Sequence, residues 1–227
     1  MLVKQYMTRH PIMIEPHKRI FEAQQIMTEN KMRHLPVVGA GKRLRGLITR
    51  QRLSIPPERL GSLDVWEITR YLADLTVDKV MVKGPDLYTI DPDSTLEEAA
   101  EIMIRHRIGA LPVVEEDIVV GIISETDLLI ELQNLLGASE PGWRITVRVP
   151  DQRGEYSKLT EAILEQGGEI MTMGGVRAPK ATGYWDIVIK VRGCEREVLE
   201  SALTGIEGQQ LIDLRETSVY QAGAEPA

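Results

Sequence analysis

The chain has 227 residues, 43% of them hydrophobic and 27% charged, with a net charge of −7. That is enough for one large or two modest domains with real cores, and no apolar run approaches the length of about 18 residues that a membrane span needs. The single cysteine, Cys194, excludes an internal disulfide, and with an N-terminus that lacks an apolar signal core it points to a reducing cytoplasm. Charge is uneven: residues 1–60 hold 12 Lys and Arg against 4 Glu and no Asp, and the remainder holds 15 basic and 30 acidic groups. The basic start is either a solvated face or an attractor for an anionic ligand or an acidic partner segment. Nucleic acid is not expected, because only Tyr6 and Phe21 interleave aromatics with those charges.

In chain order, the first copy reads as strand, helix, strand, strand, helix, a β-α-β-β-α unit, with Ile20, Ala23 and Met27 on its first helix, then Leu35-Pro36-Val37-Val38, a turn at Gly39-Ala40-Gly41, and Gly46-Leu47-Ile48-Thr49. The glycine spacing around Lys42 fits no phosphate loop, so a plain turn is expected. Pro56-Pro57 then breaks the chain, and Val65, Ile68, Leu72 and Leu75 sit at helical spacing in a connector. The opening plan then repeats about 75 residues later. Leu111-Pro112-Val113-Val114 and Gly121-Ile122-Ile123-Ser124 are the second copies, with Met7 matched by Met81, Pro11 by Pro85, Pro16 by Pro92, Ala23 by Ala99 and Met27 by Met103. In this second copy Leu87-Tyr88-Thr89-Ile90 reads as a short strand. Ser94 and Glu97 have capping-box spacing ahead of a helix carrying Leu96, Ala99, Ala100 and Met103, and a helix over 127–136 stops at Gly137. Two such units, each too small to hide its own apolar face, pack on each other and share a cleft.

Past Ser139-Glu140-Pro141-Gly142 the pattern changes. Ile145, Val147 and Val149 alternate with Arg144, Thr146 and Arg148, the signature of a half-buried antiparallel strand. A helix to about residue 166, strands near 169–176 and 185–191, a helix over 195–203 and a strand near 209–214 complete a βαββαβ, ferredoxin-like order. The fold class is therefore α+β. Its expected parts are repeat 1 over 1–54, a helical linker over 55–76, repeat 2 over 77–138, the ferredoxin-like domain over 143–218 and a tail over 219–227.

Ser124-Glu125-Thr126-Asp127 lies at a strand-to-helix junction. Its carboxylate and hydroxyl suit a ribose cis-diol, and equally suit a helix cap. The duplicated Leu-Pro-Val-Val context, with Gly109-Ala110-Leu111-Pro112 and Ser124 through Asp127, resembles a pair of cystathionine-β-synthase (CBS) repeats, a Bateman module, over about residues 1–136. That resemblance implies an adenosyl ligand of the AMP, ADP, ATP, NAD or S-adenosylmethionine class, bound for regulation. Its adenine would lie near Ile90 and Gly109, Ala110, Leu111 and Pro112, and its ribose on Ser124 and Asp127. The first copy keeps Thr49 but has Arg52 where the second has Asp127, and reads Met32-Arg33-His34 in the glycine region. Either that site is dead, or Arg33, His34 and Arg52 meet phosphates.

The C-terminal unit resembles an ACT domain through Asp151-Gln152-Arg153-Gly154 followed by Leu159 and Ile163, with Arg153 where the family commonly has proline. An amino-acid effector at Asp151, Arg153 and Gly154 is what that likeness implies; a tight turn at Gly154 is the alternative. A CBS pair followed by ACT is the architecture of the acetoin-utilisation AcuB-like proteins. The four histidines occur singly, no Cys/His spacing suggests a metal site, no catalytic motif is present, Met171 and Met173 read as core, and no cofactor is expected. The reading is a non-enzymatic, homodimeric, cytoplasmic sensor with an unidentified downstream partner. Its rivals are a structural interaction module with vestigial sites and an enzyme of acetoin metabolism.

Overall fold

The duplicated segments form two hairpins whose cores are completed by each other's opening helices. The computed structural model describes residues 1–53 and 75–218, so the expected connector helix, apart from Leu75, and the tail lie outside the described residues. The chain divides into two units, Met1–Leu128 and Leu129–Ala227. The first copy comprises α1 (Val3–Tyr6), β1 (Thr8–Arg9), α2 (Ile20–Glu29), β2 (His34–Val38) and β3 (Leu44–Thr49). The second comprises α3 (Val77–Val80), α4 (Leu96–His106), β4 (Ala110–Glu115), β5 (Ile118–Ser124) and α5 (Glu125–Leu135), the last of which runs across the division. Each hairpin is antiparallel, and each carries a bulge at the same place, between Val37 and Val38 and between Val113 and Val114.

The exchange is reciprocal. Val3 of α1 packs among Ile90, Leu96, Ala99, Met103, Leu111, Val113 and Ile123 of the second copy, while Val77 of α3 packs among Ile14, Ile20, Ala23, Met27, Leu35, Val37 and Ile48 of the first. The backbone bonds match pair for pair: Val3 N donates to Ser94 O and Lys4 N to Pro92 O, as Val77 N donates to Lys18 O and Asp78 N to Pro16 O, all at 2.9 Å. β1 then adds to β5, and Val82 bridges Leu47 in the same sense. Glycine is required at both crossings. A Cβ on Gly46 would stand 2.6 Å from the Val82 carbonyl oxygen, and one on Gly121 would run into the Met7 sulfur.

Three expectations shift. Leu87 through Ile90 is not a strand; only Ile90 bridges, in parallel, to Val113. The cap of α4 is Thr95 with Glu98, one residue beyond Ser94 and Glu97: Ser94 N is still held in a turn by Asp91 O (3.1 Å), so Thr95 is the first residue free to cap. Its Oγ accepts from Glu98 N at 3.1 Å and the Glu98 carboxylate accepts from Thr95 N at 2.7 Å. The helix after β5 begins at Glu125, not Asp127, and its last residue is Leu135, not Leu136; Gly137, with φ +67°, lies in the turn beyond it. The turn at Gly39-Ala40-Gly41 is a single short 3₁₀ turn over Ala40–Lys42.

In the second unit β6 (Gly142–Pro150), α6 (Glu155–Glu165), β7 (Glu169–Arg177), β8 (Tyr184–Arg192), α7 (Arg196–Thr204) and β9 (Gln210–Thr217) give the βαββαβ order. The sheet order β7-β8-β6-β9, antiparallel throughout, is the ferredoxin-like one. Ile145, Val147, Val149, Ile187, Ile189 and Val191 face Leu159 and Ile163 of α6 and Leu199 and Leu203 of α7. Met173 joins this core; Met171 falls at the β7 bulge between Ile170 and Thr172 and does not.

Val77 lies outside the first copy in sequence but is fully buried in its core. Val77→Ala is therefore expected to lower stability by about 2 kcal/mol. Urea unfolding checks this, and an unchanged midpoint contradicts the exchange.

Candidate functional site

Because each copy completes the other, the ends of their hairpins meet around a cleft of about 540 Å³. One wall comes from the first copy: Arg33 and His34 leading into β2, Thr49 at the end of β3, and Arg50 through Arg52 in the short turn that follows. The facing wall comes from the second: Leu87 and Tyr88, then His106 through Ala110 between α4 and β4, and Glu125. Leu47, Val82, Leu87, Ile108 and Ala110 give it an apolar lining, and the Tyr88 ring stacks on His106 with centroids 3.8 Å apart.

Local geometry fixes these positions twice over. Arg50 N donates to Arg33 O at 2.9 Å, and in the second copy Glu125 N donates to Gly109 O at 3.1 Å. Lys31 and Arg107 both close their helices in the left-handed region, at φ +51° and +54°, with Met32 N and Ile108 N returning to Met27 O and Met103 O. Gly109 has no side chain because the space is taken. A Cβ there would lie 3.2 Å from both the His34 ring and the Glu125 carboxylate. Burial holds the His34 pKa below its ordinary value, and the Arg33 charge adds to the effect.

The residues expected to form one adenosyl site divide. Gly109 and Ala110 line the cleft, and they line it together with Arg33, His34, Thr49 and Arg52 of the first copy. Ile90, Leu111 and Pro112 do not; Ile90 and Leu111 are 5% and 0% exposed in the second copy's core. Ser124 and Asp127 do not line it either. Asp127 Oδ2 accepts from Ser124 N and Ser124 Oγ, both at 2.7 Å, which is the cap arrangement. In the first copy the roles invert: Thr49 Oγ accepts from Arg52 N at 3.4 Å. The position related by the duplication brings Arg33 to Thr126, with Nη2 and Oγ 3.4 Å apart. Sequence reasoning did not single out Arg50, Arg107, Tyr88 and His106, which also line the cleft; for Arg50 the signal was the basic excess of the first 60 residues.

In the second unit, Gly154 takes φ +87° at the start of α6, so the tight-turn alternative describes its conformation. Asp151 pairs with Arg177 at 3.6 Å, and Arg153 is exposed. The group that sequence reasoning passed over is Glu155, only 3% exposed, which accepts from Lys158 at 2.7 Å and from Gln209 Nε2 at 2.9 Å. The Lys158 bond, then the Gln209 bond, hold its pKa below the usual carboxylate range. Among the described residues no group of three or more His, Cys, Asp or Glu could hold a metal, and no helix is long and apolar enough to cross a membrane.

A duplicated, mutually completed pair of hairpin units around a basic cleft defines a tandem-repeat module. The family model for the CBS domain matches residues 3–54 and 77–134, so these two segments are a tandem pair of CBS domains. A curated relative, protein MJ1225 of Methanocaldococcus jannaschii, is 34% identical over 136 residues, which are 56% of this chain and 46% of that protein. The chain thus spans less than half of that relative's length. A solved structure assigned as the acetoin utilization protein AcuB from Vibrio cholerae is 31% identical, with 62% of this chain and 96% of that one covered at a TM-score of 0.50. The CBS pair of protein MJ0100, solved with 5′-methylthioadenosine and S-adenosyl-L-methionine, is 24% identical over 59% of this chain and 97% of its own at a TM-score of 0.49.

The depressed His34 pKa gives stability a pH dependence of defined sign. As pH falls below the ordinary value of 6.5, the unfolded chain takes up the proton first, so stability is lost until pH passes the folded value. His34→Gln is expected to soften the loss of urea stability between about pH 7 and about pH 5.5. An identical loss in the variant contradicts this assignment.

Proposed function

We propose that this chain is a non-enzymatic regulatory protein whose CBS pair binds an adenosyl ligand in the cleft between its two copies. The observation that carries the reading is the joining, in one cleft, of an apolar and aromatic wall suited to a base with a cluster of arginines suited to phosphates. Gly109 and Ala110 form the base side, and Arg33, His34, Thr49 and Arg52 the anion side. Ser124 and Asp127 serve the duplication-related position beside Arg33, where Asp127 Oδ1 remains as an acceptor for a ribose diol. The ligand class is AMP, ADP, ATP, NAD or S-adenosylmethionine.

The ferredoxin-like unit we read as an ACT domain, with an amino acid or small acid as effector near Asp151, Arg153 and Gly154. Its outer strands β7 and β9 are unpaired edges among the described residues, which supports a homodimer built through this sheet. The setting we infer is a cytoplasmic one, linked to acetoin or related carbon metabolism.

A thermal-shift screen of the five adenosyl compounds and of amino acids tests the reading. A true ligand at 100 times its dissociation constant stabilises by about 2.7 kcal/mol. Absence of any shift from all five adenosyl compounds favours a structural module with vestigial sites, the reading that the capped state of Asp127 and the replacement at Arg52 would then explain. Sedimentation is expected to give a dimer of the 25.5 kDa chain, and a monomer at micromolar concentration contradicts the sheet-edge assignment.

A further inference from the structure

The cleft holds Arg33, Arg50, Arg52 and Arg107, together with His34 and His106, against the carboxylates of Asp86 and Glu125. None of the four guanidiniums has a carboxylate partner within 4.0 Å among the described residues. By contrast, Arg148 is bidentate to Asp186 at 2.8 and 2.9 Å, and Arg192 to Glu169 at 2.8 and 2.7 Å. Like charges gathered without partners in a concave site repel one another, and a multivalent anion relieves that repulsion. The guanidinium fork is also the side chain that matches phosphate oxygens two at a time.

The same cleft lacks what a ribose reader needs. At the position where the second copy has Asp127, the first has Arg52, which has five donors and no acceptor. Thr49 Oγ is already an acceptor for Arg52 N. No carboxylate therefore stands at the position of Arg52 itself to take both hydrogens of a diol. Asp86 and Glu125 lie on the second copy's wall with the base-facing residues.

Resting on the adenosyl reading above, we propose that this cleft selects its ligand by the phosphate chain and not by the ribose, so that its physiological ligand class is a nucleoside polyphosphate. Affinity rises with each phosphate, and removal of the 2′-hydroxyl is tolerated. An adenosyl compound with a cationic tail is disfavoured by the arginines, and one with an uncharged tail gains nothing from their charge.

The test is calorimetry on the full chain carrying Asp127→Ala, so that the duplication-related position lacks its diol acceptor. The ligands are AMP, ADP, ATP, 2′-deoxy-ATP and S-adenosylmethionine. The expected result is at least a tenfold gain in affinity from AMP to ATP, 2′-deoxy-ATP within threefold of ATP, and no competition by S-adenosylmethionine. Arg52→Ala should reduce the AMP-to-ATP gain severalfold, and Arg52→Lys should retain part of it; Arg107→Gln, on the facing wall, provides an independent reduction should the Arg52 variants fold poorly. If AMP or S-adenosylmethionine binds as tightly as ATP, or 2′-deoxy-ATP is tenfold weaker than ATP, the phosphate-reading proposal is overturned while the adenosyl reading stands. If none of the five compounds binds, here or to the unmodified chain, both fall.

Discussion

The arrangement of the first unit depends on one exchange: each copy of the repeat is closed by a one-turn helix supplied by the other. A helix as short as Val3–Tyr6 has no stability of its own, since nucleation fixes several residues for a single hydrogen bond. It forms because Val3 and Val77 enter preformed apolar gaps and because their backbone N–H groups find acceptors on the opposite copy. Neither hairpin with its helix is a complete core, so the two copies are expected to fold and unfold as one body. The glycines at 46 and 121 are the steric condition for that crossing.

The site inherits the same geometry. Strand ends that would otherwise face solvent, Arg33-His34 with Thr49 through Arg52 and Arg107 through Ala110 with Glu125, are brought together only because the copies interlock. Sequence divergence then works on a symmetric frame. One carboxylate at 127 and one guanidinium at 52, at matching places, give the two positions opposite electrostatic demands. Burial of His34, with the charge of Arg33 beside it, disfavours the protonated imidazole, which limits the positive charge gathered in the cleft.

Much of this was legible in the residues. The duplicated Leu-Pro-Val-Val and Gly-Ile/Leu stretches announced two equal hairpins, the two-residue alternation after Trp143 announced the second unit's sheet, and Gly137 ended its helix. What was hidden was non-local. A pattern of identities records that two units are alike, and nothing in it says which unit's helix fills which core. The family resemblance groups Gly109 and Ala110 with their own copy's Ser124 and Asp127; the cleft joins them to Thr49 and Arg52 of the other copy. Short-range competition hid the rest. The turn at Asp91 holds Ser94, which moves the cap to Thr95, and Ile90 is restricted to a single bridge with Val113. Glu155 looked like an ordinary first-turn acid; its burial follows from Gln209, which is distant in sequence.

The central claim is that one ligand position is built from both copies at once. Hydrogen exchange on the full chain with and without saturating ATP reads this amide by amide. The account predicts added protection at residues 33–34 and 49–52 of the first copy together with 107–110 of the second. Protection confined to one copy, or found only at 124–127, would contradict it.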